Sequence, residues 1–209
     1  MAEVLSILFF GGIAVFFAFR LFSVLGRQEG HMEPPPARER ARPDLPAADQ
    51  PSPLRPAYEG PAAAGLEAIA SADRRFDPAG FIDGARSAYE MIVLGFAKGD
   101  HATLQGLLAP KVLERYLAAI DAREARGETA RTEIDAIRSA EIAEAELTNG
   151  IARVKVHFAA EIATETVDKD GVRVAGDFDQ VNTVKEYWTF ERDTANADPN
   201  WVLASVAVA

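Results

Sequence analysis

The 209-residue chain has no cysteine, and this one absence removes disulfides, thiolate metal ligands and cysteine nucleophiles together. Histidine is scarce as well: His31, His101 and His157 are scattered, and none has a companion at ligand spacing. Gly-x-Ser-x-Gly, a glycine-rich phosphate loop and His-x-x-x-His are all missing. No catalytic residue, cofactor or metal is therefore expected. An excess of cations is also missing, since 22 Lys/Arg face 32 Asp/Glu for a net charge of −10. Binding to nucleic acid needs clustered cations to neutralise phosphates, so this balance argues against it. The acidity is concentrated in residues 132–209, which carry 7 Lys/Arg against 15 Asp/Glu.

Charge is absent from the first segment too. Val4, Leu5, Ile7, Leu8, Phe9, Phe10, Ile13, Val15, Phe16, Phe17 and Phe19 follow one another with Ser6 as the one polar side chain among them. After Arg20 the apolar run resumes through Leu21, Phe22, Val24 and Leu25. About 22 residues at 1.5 Å each give roughly 33 Å, enough to cross the hydrocarbon of a bilayer. The arginine lies near one end, where its stem carries the charge out to the headgroups. A secretory signal would need a basic start and a small-residue cleavage site, and neither is present. Residues 1–25 are thus expected to be a retained transmembrane anchor. Cations follow the run (Arg20, Arg27, Arg38, Arg40, Arg42) and none precedes it, which predicts the N-terminus outside and the rest of the chain in the cytoplasm. Gly11-Gly12 permits close helix contact, so an oligomer stays open.

Nine of the twelve prolines fall between Pro34 and Pro61, including Pro34-Pro35-Pro36, amid few large apolar residues. Such a segment cannot bury enough surface to offset its chain entropy, so residues 26–65 are expected to be a disordered or polyproline-like leash.

Residues 66–209 read as one α+β domain. Asp77-Pro78 is an N-cap followed by proline at the first helical position, and Phe81, Ala85, Ala88, Ile92 and Phe96 recur at helical spacing up to Gly99, predicting a helix over 78–98. A short helix is expected after Asp100. Pro110 opens another, with Val112, Leu113, Tyr116, Leu117 and Ile120 on one stripe. From there the period changes to two. Asn149-Gly150 predicts a hairpin between a strand over 132–148 and one in which Val154, Val156 and Phe158 face away from Arg153, Lys155 and His157. Asp170-Gly171 marks the next turn, Val181 to Arg192 a third strand, Asp198-Pro199-Asn200 a last turn, and Trp201 to Val208 a final strand. Helices followed by an antiparallel meander resemble the cone-like nuclear-transport-factor-two architecture, in which helices close over a curved sheet.

The resemblance becomes narrower in three places. Residues 76–93 (Phe-Asp-Pro-Ala-Gly-Phe-Ile-Asp-Gly-Ala-Arg-Ser-Ala-Tyr-Glu-Met-Ile-Val), then Phe96-Ala-Lys-Gly-Asp with Leu104 to Leu108 and Pro110, and the closing Trp188-Thr-Phe-Glu-Arg-Asp and Asp198-Pro-Asn-Trp201 look like the Tim44-like family, including the bacterial TimA proteins. The resemblance covers 66–209. It implies a non-enzymatic role, since the mitochondrial member is a membrane-associated scaffold that links an import channel to an Hsp70 chaperone and binds anionic lipid through helices at the start of this domain, here 66–98. This chain carries its own anchor and a proline-rich leash where that relative has a charged helical arm. TimA-like proteins carry such an anchor too, and they imply a place in the bacterial inner membrane.

The expected function is that of a membrane-anchored adaptor or scaffold. It binds a protein partner or anionic lipid at the cytoplasmic face, in membrane-protein biogenesis or translocation. The alternative is a small-molecule binder or isomerase-like enzyme using a pocket in the cone. Arg74 and Arg75 are the candidate lipid contacts, with the near-neutral helical half toward the bilayer and the acidic half away from it. Tyr89, Tyr116, Trp188 and Trp201 are candidate pocket lining, each weighed against an ordinary core position; Tyr187 is weighed with them. Glu141, Glu144 and Glu146 read as a solvated strand face.

Overall fold

The computed structural model describes residues 58–209; the apolar segment 1–25 and the leash as far as residue 57 lie outside the described residues. Among the described residues four helices precede four strands. Helix α1 spans Ala63–Ala72 and so begins inside the segment expected to be leash. Its alanine-rich sequence has high helix propensity, and Leu66, Ile69 and Ala70 give it a buried stripe. Helix α2 (Pro78–Lys98) has the bounds expected from sequence: the Asp77 carboxylate accepts from the Gly80 amide at 2.8 Å, and Gly99 ends the helix at φ 68°. Helix α3 (His101–Leu107) starts on Asp100, which accepts from the Thr103 amide and hydroxyl at 3.1 and 2.6 Å. Helix α4 (Pro110–Ala125) sends Arg123 back to the end of α2, where it donates to the Phe96 and Ala97 carbonyls at 3.1 and 3.0 Å. The Phe96 carbonyl also accepts from the Gly99 amide at 3.3 Å, so Arg123 adds a second donor there and supplies one to the Ala97 carbonyl.

The strands are β1 (Thr129–Thr148), β2 (Ile151–Val167), β3 (Arg173–Asp193) and β4 (Val202–Val208), an antiparallel meander in chain order. Asn149 and Gly150 both have positive φ, as the tight hairpin between β1 and β2 requires. Three register shifts along β1, at Ile134/Ala136, Ile137/Ser139 and Ile142/Glu144, bend the sheet. β2 alternates as expected, with Val154, Val156 and Phe158 fully buried on the concave face. On the convex face Arg153 meets Glu146 and Glu191, each at 3.2 Å, and Lys155 meets Glu144 at 2.8 Å. Glu141, Glu144 and Glu146 are exposed there, as read from sequence. β3 differs from expectation. It starts at Arg173 rather than Val181, because Arg173 to Asp177 continue the ladder with Thr164 to Val167 of β2.

The apolar stripe of α2 lies in the hollow of the sheet. Tyr89 stacks on Phe158 and Trp188 at 4.7 and 4.6 Å, and Phe81 meets Phe190 edge-on at 6.0 Å. Two contacts hold α1 to this body. Gly65 lies so close to β1 that a Cβ there would stand 1.8 Å from the Ala145 carbonyl oxygen. At the other end Asp73 forms a buried ion pair with Arg192 of β3. The Arg75 amide, donating at 2.9 Å, and then the Arg192 guanidinium hold the Asp73 carboxyl down at about 2.

Two predictions follow from these contacts. Gly65→Ala should lower stability by about 1–3 kcal/mol through overpacking against backbone, whereas Gly84→Ala, which enters open space, should be neutral or stabilise by up to about 1 kcal/mol. Chemical unfolding of both variants checks this. Asp73→Asn strands Arg192 in the interior and should cost about 3–5 kcal/mol at pH 7. The folded-state carboxyl titrates below its ordinary 3.8, so its stabilisation is complete above about pH 4 and fades as pH falls through about 2. The gap between wild type and Asp73→Asn should therefore narrow in acid, as read by unfolding at a series of pH values.

Candidate functional site

Where α2 begins, its exposed side and the β3–β4 connection leave a cleft of about 490 Å³. The helical wall carries Phe76, Phe81, Ala85, Ala88 and Met91, with Leu107 from α3; the opposite wall carries Phe190, Pro199, Asn200 and Trp201. Phe76, Phe81 and Trp201 form one aromatic group, with centroids 4.9 to 6.0 Å apart. The cleft is open because α2 places Gly80 and Gly84 along it; no heavy atom outside the helix lies within 4 Å of where a Gly84 Cβ would stand.

Arg75 and Arg192 also line the cleft. The Arg192 guanidinium sits 5.2 Å from the Trp201 ring and donates to the Pro199 carbonyl at 3.4 Å, so the same buried pair that holds α1 also sets one wall. Arg75 shares Asp73 with it at 3.4 Å, yet its side chain is 70% exposed. Arg74 beside it is exposed as well. The cleft thus has one exposed arginine in its lining, Arg75, in a chain that is acidic overall, and its walls are mainly apolar.

The candidate lining residues named from sequence are divided between two places. Trp201 belongs to the cleft. Tyr89 and Trp188 are buried in the core beneath α2, at 1% and 2% exposure, and Tyr116 packs edge-on against Phe96 at 5.1 Å. Tyr187 points to the convex face, 5.0 Å from His157, and His101 is exposed at the start of α3. His31 lies outside the described residues. Among the described residues no three His, Asp or Glu side chains converge as a metal site would require, and no helix is long and apolar enough to cross a membrane.

Near Tyr89 and Tyr116 the structure places a residue not singled out from sequence. Glu186 sits on the concave face, paired across the sheet with Phe158 on one side and Val208 on the other. The Trp188 indole donates to it at 3.0 Å. Burial pushes its carboxyl above the usual glutamate range, and burial together with this neighbouring carboxylate pushes both tyrosine hydroxyls well up. The alternation of β3 was the available signal, since Val184, Glu186, Trp188 and Phe190 share one phase.

With this geometry established, comparisons with known proteins can be set beside it. No curated protein matches the sequence. Among solved structures the chain is similar to the intermembrane-space region of the chloroplast protein ARC6, at 11% identity and a TM-score of 0.43, over 64% of this chain and 97% of that one. The periplasmic domain of DotI is similar at 13% identity and a TM-score of 0.41, over 66% and 98%. A Streptomyces avermitilis protein of the NTF2-like family is similar at 15% identity and a TM-score of 0.35, over 62% and 95%. At these scores none of the three bears on function. Residues 62–208 match the Tim44-like domain, the family to which this chain belongs.

Proposed function

We propose that the chain is a non-enzymatic adaptor. Residues 1–25 anchor it in the bacterial inner membrane, the Tim44-like domain stands on the cytoplasmic side, and the cleft takes the apolar chain of an anionic lipid. The observation that carries this reading is the pairing of an aromatic, open-mouthed cleft with the exposed Arg75 in its lining and the exposed Arg74 next to it in the chain. An acyl chain fits the walls of Phe76, Phe81 and Trp201, and a phosphate fits the arginines. Lipid engagement there would turn the start of α2 toward the bilayer and leave the acidic convex face of the sheet free for a protein partner.

A second reading, a small-molecule binder or isomerase-like enzyme, draws on one observation: the raised Glu186 carboxyl beside Tyr89 and Tyr116. The cleft does not reach that carboxyl, so the two readings concern different ends of the hollow.

Sedimentation of residues 58–209 with vesicles tests the adaptor reading. Binding to cardiolipin-containing vesicles should exceed binding to phosphatidylcholine vesicles. Arg74→Glu/Arg75→Glu should weaken it about ten-fold or more, at roughly 1 kcal/mol per charge near the surface. Gly84→Leu should fill the cleft and lower binding with the arginines intact. Equal sedimentation of all three proteins, or no preference for the anionic vesicles, would discard the reading.

A further inference from the structure

Glu186 is carried at some cost and without a structural need for its charge. It stands on a face otherwise formed by apolar side chains: Val154, Val156 and Phe158 of β2 and Trp188 and Phe190 of β3 are all buried. Its cross-strand neighbours place it at the rim of that face, since Phe158 is fully buried and Val208 is 60% exposed. The short strand β4 ends opposite Glu186, while β3 extends outward from there toward Arg173, so the sheet is open on this side.

Glu186 is half-buried, and the fully buried charged side chains of the domain have protein partners, although the Nε atoms of Arg123 and Arg192 are left without one. Asp73 and Arg192 answer each other, and Arg123 is answered by the carbonyls of α2. Glu186 forms no ion pair among the described residues. One carboxylate oxygen accepts from the Trp188 indole, and the other has no protein donor. The indole bond favours the charged form and a glutamine oxygen would accept it more weakly, but it occupies only one of the two carboxylate oxygens, so holding Trp188 leaves the second oxygen unaccounted for. Placing an unpaired carboxylate at an apolar rim is unfavourable, and the upward push on its titration records this.

We propose that Glu186, with Tyr116 and Trp188 beside it, is a recognition site for a guanidinium or ammonium group on an alkyl stem, as presented by an Arg or Lys side chain of a partner protein. The free carboxylate oxygen supplies the charge-assisted hydrogen bond that the protein itself leaves unmade. Tyr116 is close enough to feel the Glu186 charge, so its half-buried ring is the aromatic surface within reach of the cation, and the apolar rim receives the methylenes of the stem. The surroundings favour this ligand, because residues 132–209 carry 7 Lys/Arg against 15 Asp/Glu and their field draws cations toward the sheet. The site lies apart from the cleft proposed for lipid, and neither proposal rests on the other.

The chain has two tryptophans, Trp188 beside this site and Trp201 in the cleft, so each indole N–H resonance reports one end of the molecule. The full 209-residue chain, labelled with ¹⁵N-tryptophan, is titrated with n-butylguanidinium and, separately, with n-butylurea as its uncharged isostere. The Trp188 resonance should move saturably with butylguanidinium and hardly at all with butylurea, while Trp201 stays in place. Glu186→Gln keeps an acceptor for the indole and should bind butylguanidinium about ten-fold or more weakly. Its unshifted Trp201 resonance reports that the fold is intact. Should Glu186→Gln fail to fold, Tyr116→Leu in the wild-type background should still weaken binding measurably. Equal movement with butylurea, unchanged affinity in Glu186→Gln, or a response confined to Trp201 would each overturn the assignment.

Discussion

The curvature of the sheet sets how everything above it packs. The register shifts along β1 bend the strand so that the concave faces of β2 and β3 form a trough wide enough for one long helix. Helix α2 lies in that trough with small residues, Ala85 and Ala88, between large ones, Phe81, Tyr89 and Ile92. A flatter sheet would leave Tyr89 without its ring contacts to Phe158 and Trp188 in the core. α3 and α4 then seat on α2, with Arg123 closing its C-terminal end, and α1 is added last along β1.

Burying charge in this arrangement serves position as much as stability. Replacing the Asp73–Arg192 pair by apolar side chains of similar size need not weaken the fold. What the pair does is join three elements at one point: the end of α1, the end of β3, and, through the Pro199 carbonyl and the Trp201 ring, the β3–β4 connection. The aromatic wall of the cleft is therefore fixed by the same contact that fixes α1.

Much of this was legible in the sequence because local chemistry determined it. Asp77-Pro78 and Gly99 mark the bounds of α2 by local capping, to which Arg123 adds only at the C-terminal end, and Asn149-Gly150 fixed the phase of β2 against β1. The parts that were not legible depend on partners distant in sequence. The early start of β3 passes through Gly176, Asp177, Asp179 and Gln180, a composition that reads as loop, and it is strand because β2 continues opposite it. α1 extends back to Ala63 for a related reason: Gly65 fits against Ala145, a contact no local pattern announces. The pocket residues show the same limit. Trp188 and Trp201 looked equivalent as aromatics at strand positions, but β3 carries one into the core and the loop before β4 leaves the other on a cleft.

The cleft and the Glu186 rim are connected by a continuous row of rings: Trp201, Phe81, Phe190, Trp188 and Tyr89, each in contact with the next. Adjacency of this kind is not by itself a route for allosteric coupling, which requires an element with two discrete arrangements that both sites bias. A row packed at core density has one arrangement and holds its ends at a constant separation. Under the proposed adaptor function that rigidity is the useful property. A ligand held at one end would then orient the other end without altering its affinity, and two such partners would be brought together by geometry alone.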